Sequence, residues 1–105
     1  EPNTQRNYIF RRDNYLCQYC NAALTYAEAT IDHVHPRSLG GIFSWENCVT
    51  SCISCNLFKA NRTPEQANMR LKIKPQKPKY NTGYYEFFNL SKKHSDWKYY
   101  LGIDL

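Results

Sequence analysis

Long apolar runs are absent from this chain, and no run approaches the roughly 18–20 residues of a membrane-spanning helix. An integral membrane protein is therefore not expected. Residues 1–5 carry neither the basic nor the apolar segment of a secretory signal. The mean hydropathy of −0.72 and the length of 105 residues predict one domain with a thin core. At this size a bound metal often helps to stabilise the fold.

Acidic residues are also scarce: 9 Asp and Glu stand against 14 Lys and Arg, which gives a net charge of +5. The imbalance is concentrated in residues 59–79, where Glu65 is the single acid among Lys59, Arg62, Arg70, Lys72, Lys74, Lys77 and Lys79. Such a run is usually only a solvated face, but it also fits a phosphate-binding stripe.

The five cysteines fit poorly with a closed set of disulfides, because their number is odd. Four of them form two pairs, Cys17 with Cys20 and Cys52 with Cys55, and two such pairs can hold one tetrahedral zinc ion. Residues 21–51 separate the pairs, a gap longer than the roughly 15–20 residues usual in zinc ribbons. Two disulfides, a redox pair and a rubredoxin-like iron site are the alternatives. Structural zinc in a reducing, cytoplasmic compartment is the prediction.

Local patterns predict a small α+β domain. Basic and apolar residues favour a helix over 5–13, and β-branched residues favour strands over 29–34 and 45–50. A glycine pair predicts a turn over 38–41. Further helices are expected over 54–61 and, after a capping box, over 64–71.

Polar residues of catalytic type lie between and beside the cysteine pairs: Asp32, His33, Asn47 and Asn56. A neutral histidine can accept a proton from water near neutral pH. A hard divalent ion such as Mg²⁺ prefers oxygen ligands, which a carboxylate and an amide supply. Phosphodiester hydrolysis needs both a base and such an ion.

Several spaced motifs occur together: Cys17-x-x-Cys20, Asp32-His33-x-x-Pro36-x-Ser38-x-Gly40-Gly41, Trp45-x-Asn47, Cys52-x-x-Cys55-Asn56-x-x-Lys59 and Arg62-Thr63-Pro64-Glu65. In this order they resemble the HNH endonuclease family, the zinc-bearing branch of the ββα-metal nucleases, over roughly residues 11–70. The resemblance implies a ββα-metal nuclease domain stapled by a four-cysteine zinc, with residues 71–105 as a basic and then aromatic extension.

The resemblance also implies roles for individual residues. His33 matches the general base, Asp32 and Asn56 the ligands of a catalytic Mg²⁺ or Mn²⁺, and Asn47 the asparagine that braces the loop and orients the base. Cys17, Cys20, Cys52 and Cys55 match the zinc ligands. The implied activity is DNA cleavage that leaves 5′-phosphate ends.

Asn56 stands where many members carry histidine, which bears on metal preference. Cys48 replaces an aliphatic residue and is expected to be small and buried. His35 is expected to be solvent-facing or structural, and the alternative is that it approaches the phosphate or supports the site from behind. Asp32 and His33 are neighbours, so a regular strand would point them to opposite faces; the strand must twist for both to serve one site.

Phosphate contacts are assigned to basic residues near the motifs: Arg37, Lys59, Arg62, Arg70 and Lys72. Lys59 and Arg62 are expected to share one face of the helix. Contacts of this kind predict weak sequence preference and steep salt dependence of DNA binding. Aromatic residues after position 80 are expected to cover the core.

Two other functions stay open on the sequence. A non-catalytic, zinc-dependent nucleic-acid-binding module would carry the same cysteines. The chain is also consistent with the nuclease module of a larger restriction, phage or mobile-element protein. One site cuts one strand, so a single domain should nick and a double-strand break would need a homodimer or two events.

Overall fold

The computed structural model describes residues 3–78, which form two antiparallel strands with a helix on either side in sequence. Helix α1 spans Asn3–Arg12, strand β1 Thr30–His33, strand β2 Cys48–Ser51 and helix α2 Ile53–Lys59. The order β1, β2, α2 is the ββα arrangement, so the predicted fold class is confirmed. None of the helices described is long and apolar enough to cross a membrane.

The sheet is short, and the residue pairs at its two ends define its register. Thr30 pairs with Ser51 and His33 pairs with Cys48. Both strands are shorter than predicted, and β2 begins later, at Cys48. Its start is set by a turn, in which the Cys48 N–H donates to the Ser44 carbonyl at 3.0 Å. His33 is therefore the last residue of β1, and the loop between the two strands follows it.

Helix α1 covers the sheet with Ile9 and Phe10, which are 3% and 0% exposed. At its end, Arg12 donates to the carbonyls of Trp45 and Cys48 at 2.6 and 2.7 Å and pairs with Asp13 at 2.8 Å. Asp13 in turn accepts the Thr50 N–H at 2.8 Å. This buried ion pair joins α1 to β2, so Arg12 is structural and not a free surface charge. Cys48 is fully buried, as expected.

Helix α2 begins directly after Cys52, whose sulfur accepts the Cys55 N–H and so caps the helix. It ends at Lys59, two residues earlier than predicted, because Ala60 takes a φ of 52°. The predicted helix over 64–71 is wrong. Both bonds of the Thr63–Gln66 capping box are present, at 2.8 and 3.1 Å, but they close only a turn over residues 64–68.

Between the strands, the chain forms a short 3₁₀ helix over Arg37–Leu39 and then the predicted glycine turn. Gly40 has a φ of 97°. At Gly41 a Cβ atom would lie 1.7 Å from the His35 carbonyl oxygen, so only glycine fits there. This loop runs beside the end of β1.

The predicted role of the aromatic tail falls on residues outside those described.

Candidate active site and metal centre

The four paired cysteines come together as predicted. Their sulfur atoms all lie within 4.8 Å of one another, and Sγ of Cys20 is 3.9 Å from Sγ of Cys52. A tetrahedral zinc with bonds of about 2.3 Å requires sulfur–sulfur separations near ~3.8 Å, so the cluster has the size of such a site. The first pair lies in the turn after α1, and the second pair brackets the start of α2.

The electrostatics of the cluster also fit a cation. Burial alone would raise the pKa of Cys17, but hydrogen bonds from the backbone N–H groups of Cys20, Cys52 and Tyr19 outweigh it and lower that pKa to about 6. Burial and its thiol neighbours raise the pKa of Cys55. Several thiolates cannot share so small a volume without a cation to neutralise them. The cluster therefore has the ligands and the electrostatic need for a metal ion.

A second feature is an open cleft of about 260 Å³ where the end of β1 meets α2. It is lined by residues of β1 and the loop that follows it, and by residues of α2 and the segment that follows it: Ile31, Asp32, His33, Pro36, Arg37, Asn56, Ala60 and Asn61. The cleft thus brings together three of the four catalytic-type residues expected from the sequence. Asp32 and His33 both reach it although they are neighbours on a strand.

His33 is half-buried at the last position of β1. Its ring centroid lies 6.2 Å from that of Phe43, at an interplanar angle of 56°. The His33 carbonyl accepts a hydrogen bond from Lys59 Nζ at 2.8 Å, which fixes the backbone under the ring. A half-buried imidazole that lines an open cleft can reach a solvent water.

Asp32 is 4% exposed, and both of its carboxylate oxygens are engaged. Oδ1 lies 3.2 Å from Lys59 Nζ, and Oδ2 accepts the Tyr19 hydroxyl at 2.6 Å. An ionised carboxylate offers about four acceptor positions. The two donors therefore orient Asp32 and leave some of its acceptor positions unused.

Asn56 lies one turn into α2, and its Nδ2 donates back to β1. The acceptors are Thr30 Oγ1 at 2.9 Å and the Ile31 carbonyl at 3.4 Å. These bonds fix which end of the amide faces the strand, so Oδ1 is the atom left to act as an acceptor or a ligand. Asn56 and Asp32 thus offer a neutral and a charged oxygen to one cleft.

The family model described as HNH endonuclease matches residues 17–72, more than half of the chain. The chain belongs to the HNH endonuclease family. The match contains both cysteine pairs and the cleft residues.

One curated relative is the CRISPR-associated endonuclease Cas9 of Corynebacterium diphtheriae, with 36% identity over 52 residues. The aligned segment covers 49% of this chain but only 5% of that protein. No solved structure matches the chain.

Asn47, which matches the middle asparagine of the HNH motif, forms side-chain hydrogen bonds to backbone atoms. Its Oδ1 accepts the His35 N–H at 2.8 Å, and its Nδ2 donates to the carbonyls of His35 and Ile42 at 3.1 and 2.9 Å. These three bonds tie the loop after β1 to the turn before β2. These contacts match the loop-bracing role that the resemblance implies for Asn47, and its part in catalysis stays a prediction. His35 itself is exposed, and its Nε2 lies 3.0 Å from the Leu39 carbonyl oxygen.

The assignment of Lys59 to a phosphate contact does not fit this HNH domain. Lys59 is 1% exposed, and its ammonium is bound to Asp32 and to the His33 carbonyl. The expected shared helix face is also wrong, because α2 ends at Lys59 and Arg62 follows the helix. Arg62 donates to the carbonyls of Lys59 and Phe58, so it caps the helix end.

The remaining basic residues are placed differently. Arg37 is exposed and lines the cleft. Arg70 and Lys72 are exposed elsewhere on the surface. Arg70 lies in a groove with Tyr19 and Phe58, outside the cleft. Of the predicted phosphate contacts, Arg37 is therefore the residue next to His33.

Two features of the site had no clear signal in the sequence. Tyr19 lies between the two cysteines of the first pair, at a position that the motif leaves unspecified. Its hydroxyl nevertheless donates a hydrogen bond to Asp32. Lys59 stands in one of the spaced motifs, but its charge was grouped with the basic run, and nothing in the local sequence indicated that it is buried. A basic residue three positions after a predicted ligand is on the next turn of the helix, which was the one available hint.

Proposed function

We propose that this HNH domain is a metal-dependent DNA endonuclease that hydrolyses phosphodiester bonds. The observation that carries the proposal is the single cleft whose lining includes His33, Asp32 and Asn56. A base and a pair of hard oxygen donors in one open cleft are what hydrolysis of a phosphodiester requires.

His33 acts as the general base. A histidine is neutral in an appreciable fraction of molecules near pH 7, so its ring nitrogen can take a proton from water. The hydrogen bond from Lys59 to the His33 carbonyl and the neighbouring Phe43 ring hold the imidazole in place. Asn47 supports the same position from the loop side.

Asp32 and Asn56 hold the catalytic divalent ion. Their donor set fits Mg²⁺ or Mn²⁺, because both atoms are hard oxygens and an open cleft leaves space for the waters that Mg²⁺ retains. When bound, such an ion supplies charge stabilisation for the phosphate and for the departing oxygen. The cysteine cluster holds a separate, structural ion, which we assign as Zn²⁺. Thiolate ligands of this kind are consistent with a reducing, cytoplasmic setting.

The substrate is proposed to be DNA, which is supported by the net charge of +5, by Arg37 at the cleft and by the likeness to a CRISPR-associated endonuclease. Arg37, Arg70 and Lys72 would contact phosphates, which carry no sequence information. A single domain would therefore nick DNA with weak sequence preference.

The test is a supercoiled-plasmid nicking assay with Mg²⁺ and with EDTA. His33→Ala should lose activity by several orders of magnitude while keeping its melting temperature and DNA affinity. His35→Ala is the matched control, because His35 is two residues away, exposed and bound to a loop carbonyl. Equal cutting by wild type and His33→Ala would contradict the proposal.

A second candidate is favoured by the Cas9 alignment, in which the matched segment is a small part of a much larger protein. The chain would then serve as a nuclease module whose target is chosen by other domains. Sequence-specific cutting by these 105 residues alone would argue against this candidate. DNA binding without any cutting would instead favour a non-catalytic binding module.

A further inference from the structure

Tyr19 connects the cysteine cluster to the cleft. It lies between Cys17 and Cys20, so its backbone is held on both sides by residues of the cluster. Its hydroxyl extends to Asp32, 13 residues further along the chain, and donates to Oδ2 at 2.6 Å.

The bond is of the strong, charge-assisted kind. A hydroxyl that donates to a carboxylate at about 2.5–2.7 Å is shorter and stronger than a neutral hydrogen bond. In this bond the Tyr19 hydroxyl is the donor and Asp32 Oδ2 is the acceptor.

The other oxygen of Asp32 shows why a second donor matters. Lys59 Nζ engages Oδ1 at 3.2 Å and carries a full positive charge. With Lys59 alone, the carboxylate could turn about its last side-chain bond and offer both oxygens to the ammonium. Tyr19 prevents this rotation because it holds Oδ2 from a different direction, from the first cysteine pair.

We propose that Tyr19 is a positioning residue for the divalent-ion site, which holds the Asp32 carboxylate in the orientation that presents its remaining acceptor positions to the cleft. The proposal rests on the assignment of Asp32 as a ligand under the proposed function. Partners that orient a ligand in this way typically contribute 10–100-fold to metal affinity.

The experiment compares Tyr19→Phe with wild type in the full 105-residue, zinc-loaded chain. Tyr26→Phe is the matched control, because Tyr26 is 50% exposed and packs edge-on against Phe10, outside the cleft. Mn²⁺ binding is measured by electron paramagnetic resonance, together with zinc content and the thermal midpoint. Tyr19→Phe should bind Mn²⁺ 10–100-fold more weakly with one zinc retained. Tyr26→Phe should match wild type.

Nicking kinetics separate positioning from a merely structural role. In Tyr19→Phe the Mg²⁺ concentration for half-maximal rate should rise, while the rate at saturating Mg²⁺ stays within a few-fold of wild type. Unchanged Mn²⁺ affinity would overturn the proposal. Loss of zinc or of cooperative melting in Tyr19→Phe would also overturn it, since Tyr19 would then be part of the fold alone.

Asp32→Asn distinguishes this inference from the proposed function. If Asp32→Asn binds Mn²⁺ as wild type does, Asp32 is not a ligand and the proposed function fails together with this inference. If Asp32→Asn loses Mn²⁺ and Tyr19→Phe does not, only this inference fails.

A second measurement needs no substitution at Tyr19. In the wild-type chain labelled with ¹³C at the tyrosine Cζ, the Tyr19 resonance should shift as Mg²⁺ is added, and the Tyr26 resonance should not. The shift should vanish in Asp32→Asn. A Tyr19 resonance that ignores Mg²⁺ in wild type would overturn the proposal.

Discussion

The Nζ atom of Lys59 lies 3.2 Å from Oδ1 of Asp32, and both side chains are almost completely buried. The pair joins the last residue of α2 to the middle of β1. Two opposite charges that share a buried site stabilise each other, but either one alone would be left without compensation. This ion pair therefore sets the position of the helix against the strand, and with it the shape of the cleft.

Lys59→Met should destabilise the domain by about 3–5 kcal/mol, because it leaves the Asp32 carboxylate buried without its cation. The control is Lys72→Met, since Lys72 is exposed and a surface substitution there should stay within about 0.5 kcal/mol. Urea unfolding of both variants measures the difference. A loss in Lys59→Met no larger than in the control would show that the pair contributes little.

Cys52→Ala should abolish zinc binding and cooperative unfolding, because metal affinity and folding free energy are linked in sites of this kind. Cys48→Ala is the control: Cys48 is fully buried on β2 and lies outside the four-cysteine cluster. It should keep one zinc and lose only the modest stability that a small cavity costs. Zinc content and thermal melting report both effects, and a zinc-free Cys52→Ala that melts cooperatively would refute the structural role.

Gly41→Ala should be more damaging than Gly40→Ala. An added Cβ at Gly41 would collide with the His35 carbonyl at 1.7 Å, so the backbone itself must move. At Gly40 there is open space, and the cost is the strained φ of 97°, roughly 1–2 kcal/mol. The thermal midpoints of the two variants should differ in that order. The reverse order would mean that the loop adapts to the larger residue.

Arg37→Ala should weaken DNA binding uniformly across sequences and reduce the slope of log K against log salt by about 1, as for one lost phosphate contact. Arg6→Ala removes the same charge from α1, where Arg6 stacks over Phe10. It should leave the slope unchanged. Fluorescence anisotropy over a range of salt concentrations measures both, and equal slopes in the two variants would remove Arg37 from the interface.

The capping box shows which part of a helix the local sequence can predict. Thr63 and Gln66 form both expected bonds, yet no helix follows. A capping box fixes the first turn, whereas a helix must also propagate. Here Asn68 takes a φ of 59°, and the Met69 N–H closes back on the Pro64 carbonyl at 2.8 Å. The first turn was predictable because it depends only on neighbouring residues, whereas the length of the helix was not predictable.

Three features could be predicted from the residues alone: the cysteine cluster, the ββα order and the presence of Asp32, His33 and Asn56 in one cleft. Their spacing carries that information, since two cysteines with two residues between them can bind one metal ion together. The tertiary structure alone decided which charges are buried. Lys59 and Lys72 look alike in a basic run, but only Lys59 lies on a helix that packs against β1. The hydrogen bond between Tyr19 and Asp32 likewise depends on how the cysteine turn packs on the strand. It leaves no local pattern in the sequence, because the two residues are far apart in the chain.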